Sequence, residues 1–175
     1  MVSSTTVVGG ATGDYAGNHG DPSPGAVGAA TDYFYPGNGN GIIVTSRGVC
    51  DKDGTLTGNW LDQVSFKSVL DGTSNTFLMG EMHIPKGGLN TTPFNGPMFN
   101  GLELVAHSRI GGPGVPILST NDEPGFLFGF GSAHPGICNF VLGDGSTRSI
   151  KNSLDTLVLG DLCNRHDGNV VSADD

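Results

Sequence analysis

The chain has 175 residues, 30 of them glycine, and a formal net charge of −9 with only eight Lys plus Arg. That length suits one domain able to bury a core. So few cations exclude a phosphate-tracking nucleic-acid surface and a docking face for anionic lipid, both of which need clustered basic side chains.

Glycine at this level, with no G-X-Y period, predicts a loop-rich chain of short strands and tight turns. Asp-Gly pairs beginning at Asp53, Asp71, Asp144 and Asp167 punctuate it. Three cysteines, Cys50, Cys138 and Cys163, permit one disulfide or none. A Cys50–Cys163 bond is one option, and Cys138 reads as a small buried apolar residue. No C-x-x-C pair points to zinc. No apolar run reaches the ~18 residues that span a bilayer.

Residues 1–41 are rich in Gly, Ser, Thr, Asn and Pro and read as loops, with one short strand near Tyr33. The Gly-Asn repeat before Gly41 lacks the Lys-Ser/Thr of a phosphate loop. Residues 41–45 are β-branched and read as a strand. Oxygen ligands then recur at Asp51, Asp53, Thr55, Asn59 and Asp62, which resembles a calcium loop. Leu56 stands where such a loop needs glycine, and Asp62 replaces the terminal glutamate. A polar hairpin tip is the adopted reading, with Asp51, Asp53 and Asp62 kept as calcium candidates.

Residues 64–70 and 77–82 read as two strands around the Asp71-Gly72 turn. Ser74, Asn75 and Thr76 offer side chains that bond nearby backbone. Ser74 lacks the G-x-S-x-G elbow of a nucleophile. Glu81 and His83 would share one strand face and are expected to face solvent. Residues 86–122 are irregular, broken by a short element at 102–107 and a Gly-Pro loop at 108–116.

The stretch 126–150 reads as a three-stranded β-meander. Residues 126–130 form one strand, Pro135-Gly136 the turn, residues 137–142 the second strand, and 146–150 the third. Asp144-Gly145 predicts a type I′ hairpin turn with φ > 0 at both residues. His134 and Asp144 then stand at opposite ends of one strand, too far apart to share a metal or a proton. Residues 153–164 read as a helix capped by Asn152 or Ser153. Leu154, Leu157, Val158 and Leu162 form its apolar stripe. Residues 169–171 read as a last edge strand. The predicted fold class is α+β: a mainly antiparallel sheet, long loops and one short C-terminal helix, in a single domain spanning 1–175.

Three stretches together carry a family resemblance. His134, nine intervening residues and Asp144-Gly145 form an H-X9-DG pattern. Asp71, Gly72, Thr73, Ser74, Asn75 and Thr76, followed by Gly80-Glu81, form a DGTSNT…GE pattern. Tyr15-Ala16-Gly17-Asn18 is a YAGN stretch. Taken in chain order from Tyr15 to Ile150, they resemble the DUF1559 family of bacterial pseudopilin-like proteins, abundant in planctomycetes. The resemblance implies a pilin-like globular domain with a leader and a long apolar helix ahead of it; the strand spacing and turn chemistry separately make the motif residues structural. That helix is missing before Val2, so a shortened soluble chain is expected, or else a natural soluble paralogue. Major pseudopilins of type II secretion bind calcium, which the resemblance extends to the Asp51 loop.

The functional expectation is a non-enzymatic subunit of a type II secretion or type IV pilus-like assembly. Its expected partners are other pilin-like subunits or envelope proteins. Its expected location is the cell envelope or its outer side, held to the inner membrane by that helix alone. A sheet strip stripped of the helix would promote self-association. The alternative is an extracytoplasmic solute- or glycan-binding module using Trp60, Tyr33, Tyr35, Phe94 and Phe99. The chain shows no nucleophile–base pair, metal quartet or cofactor fingerprint, so no enzyme and no cofactor is expected.

Overall fold

The computed structural model describes residues 10–22, 39–44, 47–61, 63–90, 95–96, 107–119, 128–169 and 171. Strand β8 (Ile137–Leu142) is the clearest product of its sequence. Its alternation buries Cys138, Phe140 and Leu142 and leaves Ile137, Asn139 and Val141 half covered, the period-2 pattern of a sheet with one packed face. It pairs antiparallel with β9 (Thr147–Lys151) on one side and β4 (Phe77–Glu81) on the other. Strand β1 (Tyr15–Gly20) follows antiparallel to β4, and β5 (Ser108–Ile110) closes the edge parallel to β1. The five-stranded order is therefore β5-β1-β4-β8-β9. A separate hairpin joins β2 (Arg47–Cys50) to β3 (Leu56–Leu61), and a short parallel pair joins β6 (Leu118–Ser119) to β7 (Gly131–Ser132).

Helix α1 (Thr156–Cys163) covers one face of the sheet. The core there holds Phe77, Phe130, Phe140, Leu142, Ile150, Leu159, Leu162 and both buried cysteines. Phe77 and Phe140 stack at 4.0 Å, and Phe130 meets Phe140 edge-on at 5.0 Å. Gly80 makes that cluster possible: a Cβ there would stand 2.5 Å from the Phe140 ring and 2.9 Å from the Phe130 ring. The α+β class with a mainly antiparallel sheet and one short C-terminal helix is thus observed.

Several local expectations are corrected. The meander of 126–150 is a two-stranded hairpin. Residues 126–127 lie outside the described set, and Phe128 is in a turn. Gly129 and Phe130 form only isolated bridges, and β7 pairs with β6 rather than β8. The Asp144 turn has φ > 0 at Gly145 alone (φ 87). Gly145 N donates to Leu142 O and Leu142 N to Ser146 O, so the loop has three residues, closing a type I turn with a left-handed glycine.

Residues 64–70 are not a strand. Phe66–Ser68 is a 3-10 turn, because Ser65 and Ser68 bond each other reciprocally and outcompete extension. The strand expected at 41–45 is displaced to β2; Gly41, Ile42 and Ile43 are in a bend and Thr45 lies outside the described residues. The helix begins at Thr156, not at 153, because Asp155 caps it by accepting from Leu157 N at 2.7 Å. Its buried face is Leu159, Leu162 and Cys163, while Leu157 is exposed. Leu154 and Val158 pack at the margin. Neither Asn169 nor Val171 belongs to a strand, and residues 102–106 and Tyr33 lie outside the described set. No described helix is long and apolar enough to cross a membrane.

Candidate functional site

The three signature stretches lie on three adjacent strands, β1, β4 and β8. Phe77 pairs with Leu142 and Gly80 with Phe140. This antiparallel register sets the start of one signature against the end of the other. At the first junction, Asp144 N donates to Thr73 O at 3.0 Å and Gly143 N to Thr76 O at 2.9 Å. At the second, Asn139 N donates to Glu81 Oε2 at 2.7 Å, and His134 Nε2 stands 3.1 Å from Glu81 Oε1. Ser132 Oγ fixes the same turn by accepting from His134 N at 2.8 Å. DGTSNT…GE and H-X9-DG are therefore two sides of one docked unit.

Asn18, Asp71, Asn75, Thr76, Glu81 and Asp144 each use the side chain to hold backbone. The buried Asp71 carboxylate accepts from Asp167 N and Gly168 N, both at 3.0 Å. Asn75 Nδ2 donates to Asp71 O, and Thr76 Oγ1 to Gly72 O, which closes the turn between them. Ser74 is exposed. Asp144 Oδ1 accepts from Ser146 Oγ at 2.7 Å and Ser146 N at 2.9 Å. The Ser146 hydroxyl and amide hold the Asp144 carboxyl below the usual carboxylate range. His134 and Asp144 have these separate partners at opposite ends of β8 and form no pair with each other.

Asn18, in the YAGN stretch, is fully buried and does the most bridging. Its Nδ2 donates at 2.8 Å to both Phe77 O and Cys163 O, and its Oδ1 accepts from Gly20 N. One amide thus joins β1, β4 and the end of α1. A charged or apolar side chain could not supply two donors and an acceptor together.

Glu81 and His83 are both buried, which corrects the expectation of a solvent-facing pair. Glu81 is drawn in by the Asn139 amide, which repays part of its desolvation. Two of the calcium candidates lie in the turn between β2 and β3. Asp51 Oδ1 accepts from Asp53 N and Thr55 N at 2.9 Å, and Asp53 pairs with Lys52 Nζ at 3.1 Å. Asp62 lies outside the described residues. Among the described residues no three His, Cys, Asp or Glu side chains are grouped to hold a metal ion.

Sequence reasoning missed the polar seam around residues 39–41. Asn40 Nδ2 donates to Asp21 Oδ1 at 2.6 Å, and Asp21 N donates to Asn40 Oδ1 at 2.8 Å. Arg165 donates to Gly39 O and Gly41 O. Arg109 on β5 is fully buried; burial lowers its guanidinium pKa to about 10, and NH1 donates to Ser108 O. Asp21, Asn40 and Arg165 are distant in sequence, so no local pattern could have paired them.

Most signature side chains that make hydrogen bonds thus spend them on the domain's own backbone. The chain belongs to the family described as "Protein of unknown function (DUF1559)", whose model matches residues 2–157. Neither the curated proteins nor the solved structures contain a match to it.

Proposed function

We propose that this chain is the globular part of a non-enzymatic, pilin-like subunit that assembles with other such subunits or envelope proteins in the cell envelope. One observation carries the reading: Asn18, Asp71, Glu81, His134 and Asp144 are all committed to bonds that hold strands and turns together. A catalytic constellation would instead aim a nucleophile and a base at a common open point.

The sheet face away from α1 supports the same reading. Gly17, Met79 and Val141 share that face by register, and Met79 and Val141 are only half covered. Ile43 packs directly over Gly17 and is itself partly exposed. Such a strip suits an apolar helix laid across the sheet. In the intact subunit this helix anchors the domain to the inner membrane, and the loops face outward.

The test is the full-length gene product expressed in its own host. Cleavage by a prepilin peptidase and co-purification with a filament or secretion complex are expected. An uncleaved protein recovered free of any such complex would contradict the proposal. Glycan capture is the second reading, and the half-exposed ring of Trp60 is the feature that favours it. Of the other aromatics it invoked, Tyr33, Tyr35, Phe94 and Phe99 lie outside the described residues. A glycan array without hits would dismiss it.

A further inference from the structure

The Asp-Gly pairs that begin at Asp53, Asp71, Asp144 and Asp167 all lie among the described residues. Such a pair can react with itself, because glycine sets no side chain in the way of its own nitrogen. The Gly nitrogen attacks Asp Cγ and an N–Cγ bond forms. The carboxyl hydroxyl leaves with the amide proton as water, closing a five-membered succinimide. Water then adds at the Asp main-chain carbonyl and breaks its bond to nitrogen, so the chain runs on through the side chain as isoaspartate. The reaction needs a protonated carboxyl, since an ionised one is a poor electrophile, and a glycine N–H that is not bound elsewhere.

Three of the pairs fail these conditions through their own turns. Asp53 pairs with Lys52, and Gly54 N donates to Asp51 O at 3.0 Å. Both Asp71 oxygens accept from amides, and Gly72 N donates to Val69 O. Asp144 is held low by Ser146, and Gly145 N donates to Leu142 O at 3.0 Å.

Asp167-Gly168 differs on each count. Desolvation, with Asp71, Asp161 and Asp21 adding to it, raises the Asp167 carboxyl against the Asn169 amide and so favours its protonated form. Asn169 N donates to Asp167 Oδ1 at 2.7 Å. That bond curls the carboxyl forward along the chain, around the Gly168 peptide. Gly168 is exposed at φ 86, and nothing lies within 4 Å of where its Cβ would be. What holds its nitrogen comes from far away in the chain. Gly168 N donates to Asp71 Oδ1 and Asp167 N to Asp71 Oδ2, both at 3.0 Å.

We propose that Asp167-Gly168 is a latent isoaspartate site, a modification site kept closed by the carboxylate of Asp71. Two amides on the two oxygens of one carboxylate fix the Gly168 peptide against the twist that attack requires. Conversion would put one extra carbon into the main chain between the two amides, which then no longer match the two oxygens. Leu70 N and Asp71 N also hold this loop, by donating to Arg165 O. Isoaspartate at residue 167 therefore loosens the loop from the signature turn. None of this depends on the pilin-like reading.

Peptide mapping of the whole protein, aged at neutral pH, tests it. Isoaspartate is marked by methyl transfer from S-adenosylmethionine through an L-isoaspartyl methyltransferase. Each site is read separately, because the Asn-Gly pairs at Asn38 and Asn100, outside the described residues, take the same route. Asp71→Ala should raise the rate at Asp167 by about tenfold or more, the factor that losing amide–carboxylate bonds gives. The rates at Asp53 and Asp144 should stay as they were. Asp71→Asn keeps one carbonyl acceptor and should give a smaller rise. Asp167→Asn keeps Asp71 in place and supplies a reading free of any folding defect in the Asp71 variants. Its deamidation should run about tenfold or more slower in the folded protein than in a free peptide of residues 161–171 with the same substitution, since it must wait for local opening. Equal rates in protein and peptide overturn the proposal. So does a rise in Asp71→Ala shared equally by Asp53 and Asp144, which traces to global unfolding. An unchanged rate at Asp167 overturns it too, as does a slower one, which would make Asp71 the base that takes the Gly168 proton.

Discussion

Glu81 stands with one carboxylate oxygen on the Asn139 amide and the other 3.1 Å from the His134 imidazole. The two residues come from separate signatures, and their contact fixes the turn that enters β8. The partners are unequal: the Glu81 side chain is 11% exposed and that of His134 is 56% exposed.

That inequality predicts unequal losses. Glu81→Ala strips the Asn139 amide of its acceptor and should cost about 1–3 kcal/mol. His134→Ala removes only a contact made by a half-exposed imidazole and should cost under about 1 kcal/mol. Urea unfolding of both variants gives the comparison, and a larger loss at His134 would invert the assignment.

Gly80→Ala should be worse tolerated than its size suggests. The added methyl meets the Phe140 and Phe130 rings of the aromatic cluster. Overpacking of this kind costs about 1–3 kcal/mol. Near-ultraviolet circular dichroism should show the disturbed ring environment directly.

The legible part of the fold is the part whose residues announce themselves. Strands β4 and β8 are rich in Phe, Val, Leu and Ile, and the β8–β9 hairpin has an Asp-Gly turn. Strand β1 was hidden because Tyr-Ala-Gly-Asn-His-Gly has little β propensity. It is a strand because Asn18 is bonded on both sides and Gly17 admits Ile43. Residues 64–70 misled for the opposite reason: their apolar alternation suits a strand, but two serines bonded to each other set the backbone. The signature residues were legible as turn formers. Their docking on one another was not, since it depends on the β4–β8 register.

Two aspartates should move stability in opposite directions with pH. Asp144 is held low by the Ser146 hydroxyl and amide. Its folded value lies below its unfolded one, so its contribution is present above about pH 4 and lost as pH falls through the folded value. Asp167 is raised by burial, with Asp71, Asp161 and Asp21 adding to it against the Asn169 amide. Its contribution is present below about pH 4 and lost as pH rises through the folded value. Asp167→Asn should therefore stabilise at neutral pH and keep the bond to Asn169 N. Asp144→Asn should destabilise at neutral pH, with the loss fading in acid. Urea midpoints from about pH 3 to 7 check both signs.

The thiols should separate cleanly. Cys50 is exposed, while Cys138 and Cys163 are buried, and all three are free. Burial, and Glu81 after it, pushes the Cys138 thiol well up; burial does the same to Cys163. Ellman's reagent should titrate Cys50 in the native protein and the other two only in denaturant. A native count of none would mean that Cys50 is bonded, as in a Cys50–Cys163 bridge.

Amide-resolved hydrogen exchange on the native protein tests the docking of the signatures most directly. Gly143 and Asp144 sit in or beside an exposed hairpin tip, yet their N–H groups are bonded to Thr76 O and Thr73 O. Protection of these two amides at the level of central β8 amides such as Phe140 is the predicted result. Exchange at the rate of a free turn would show that the signatures do not dock, and the scaffold account would fail.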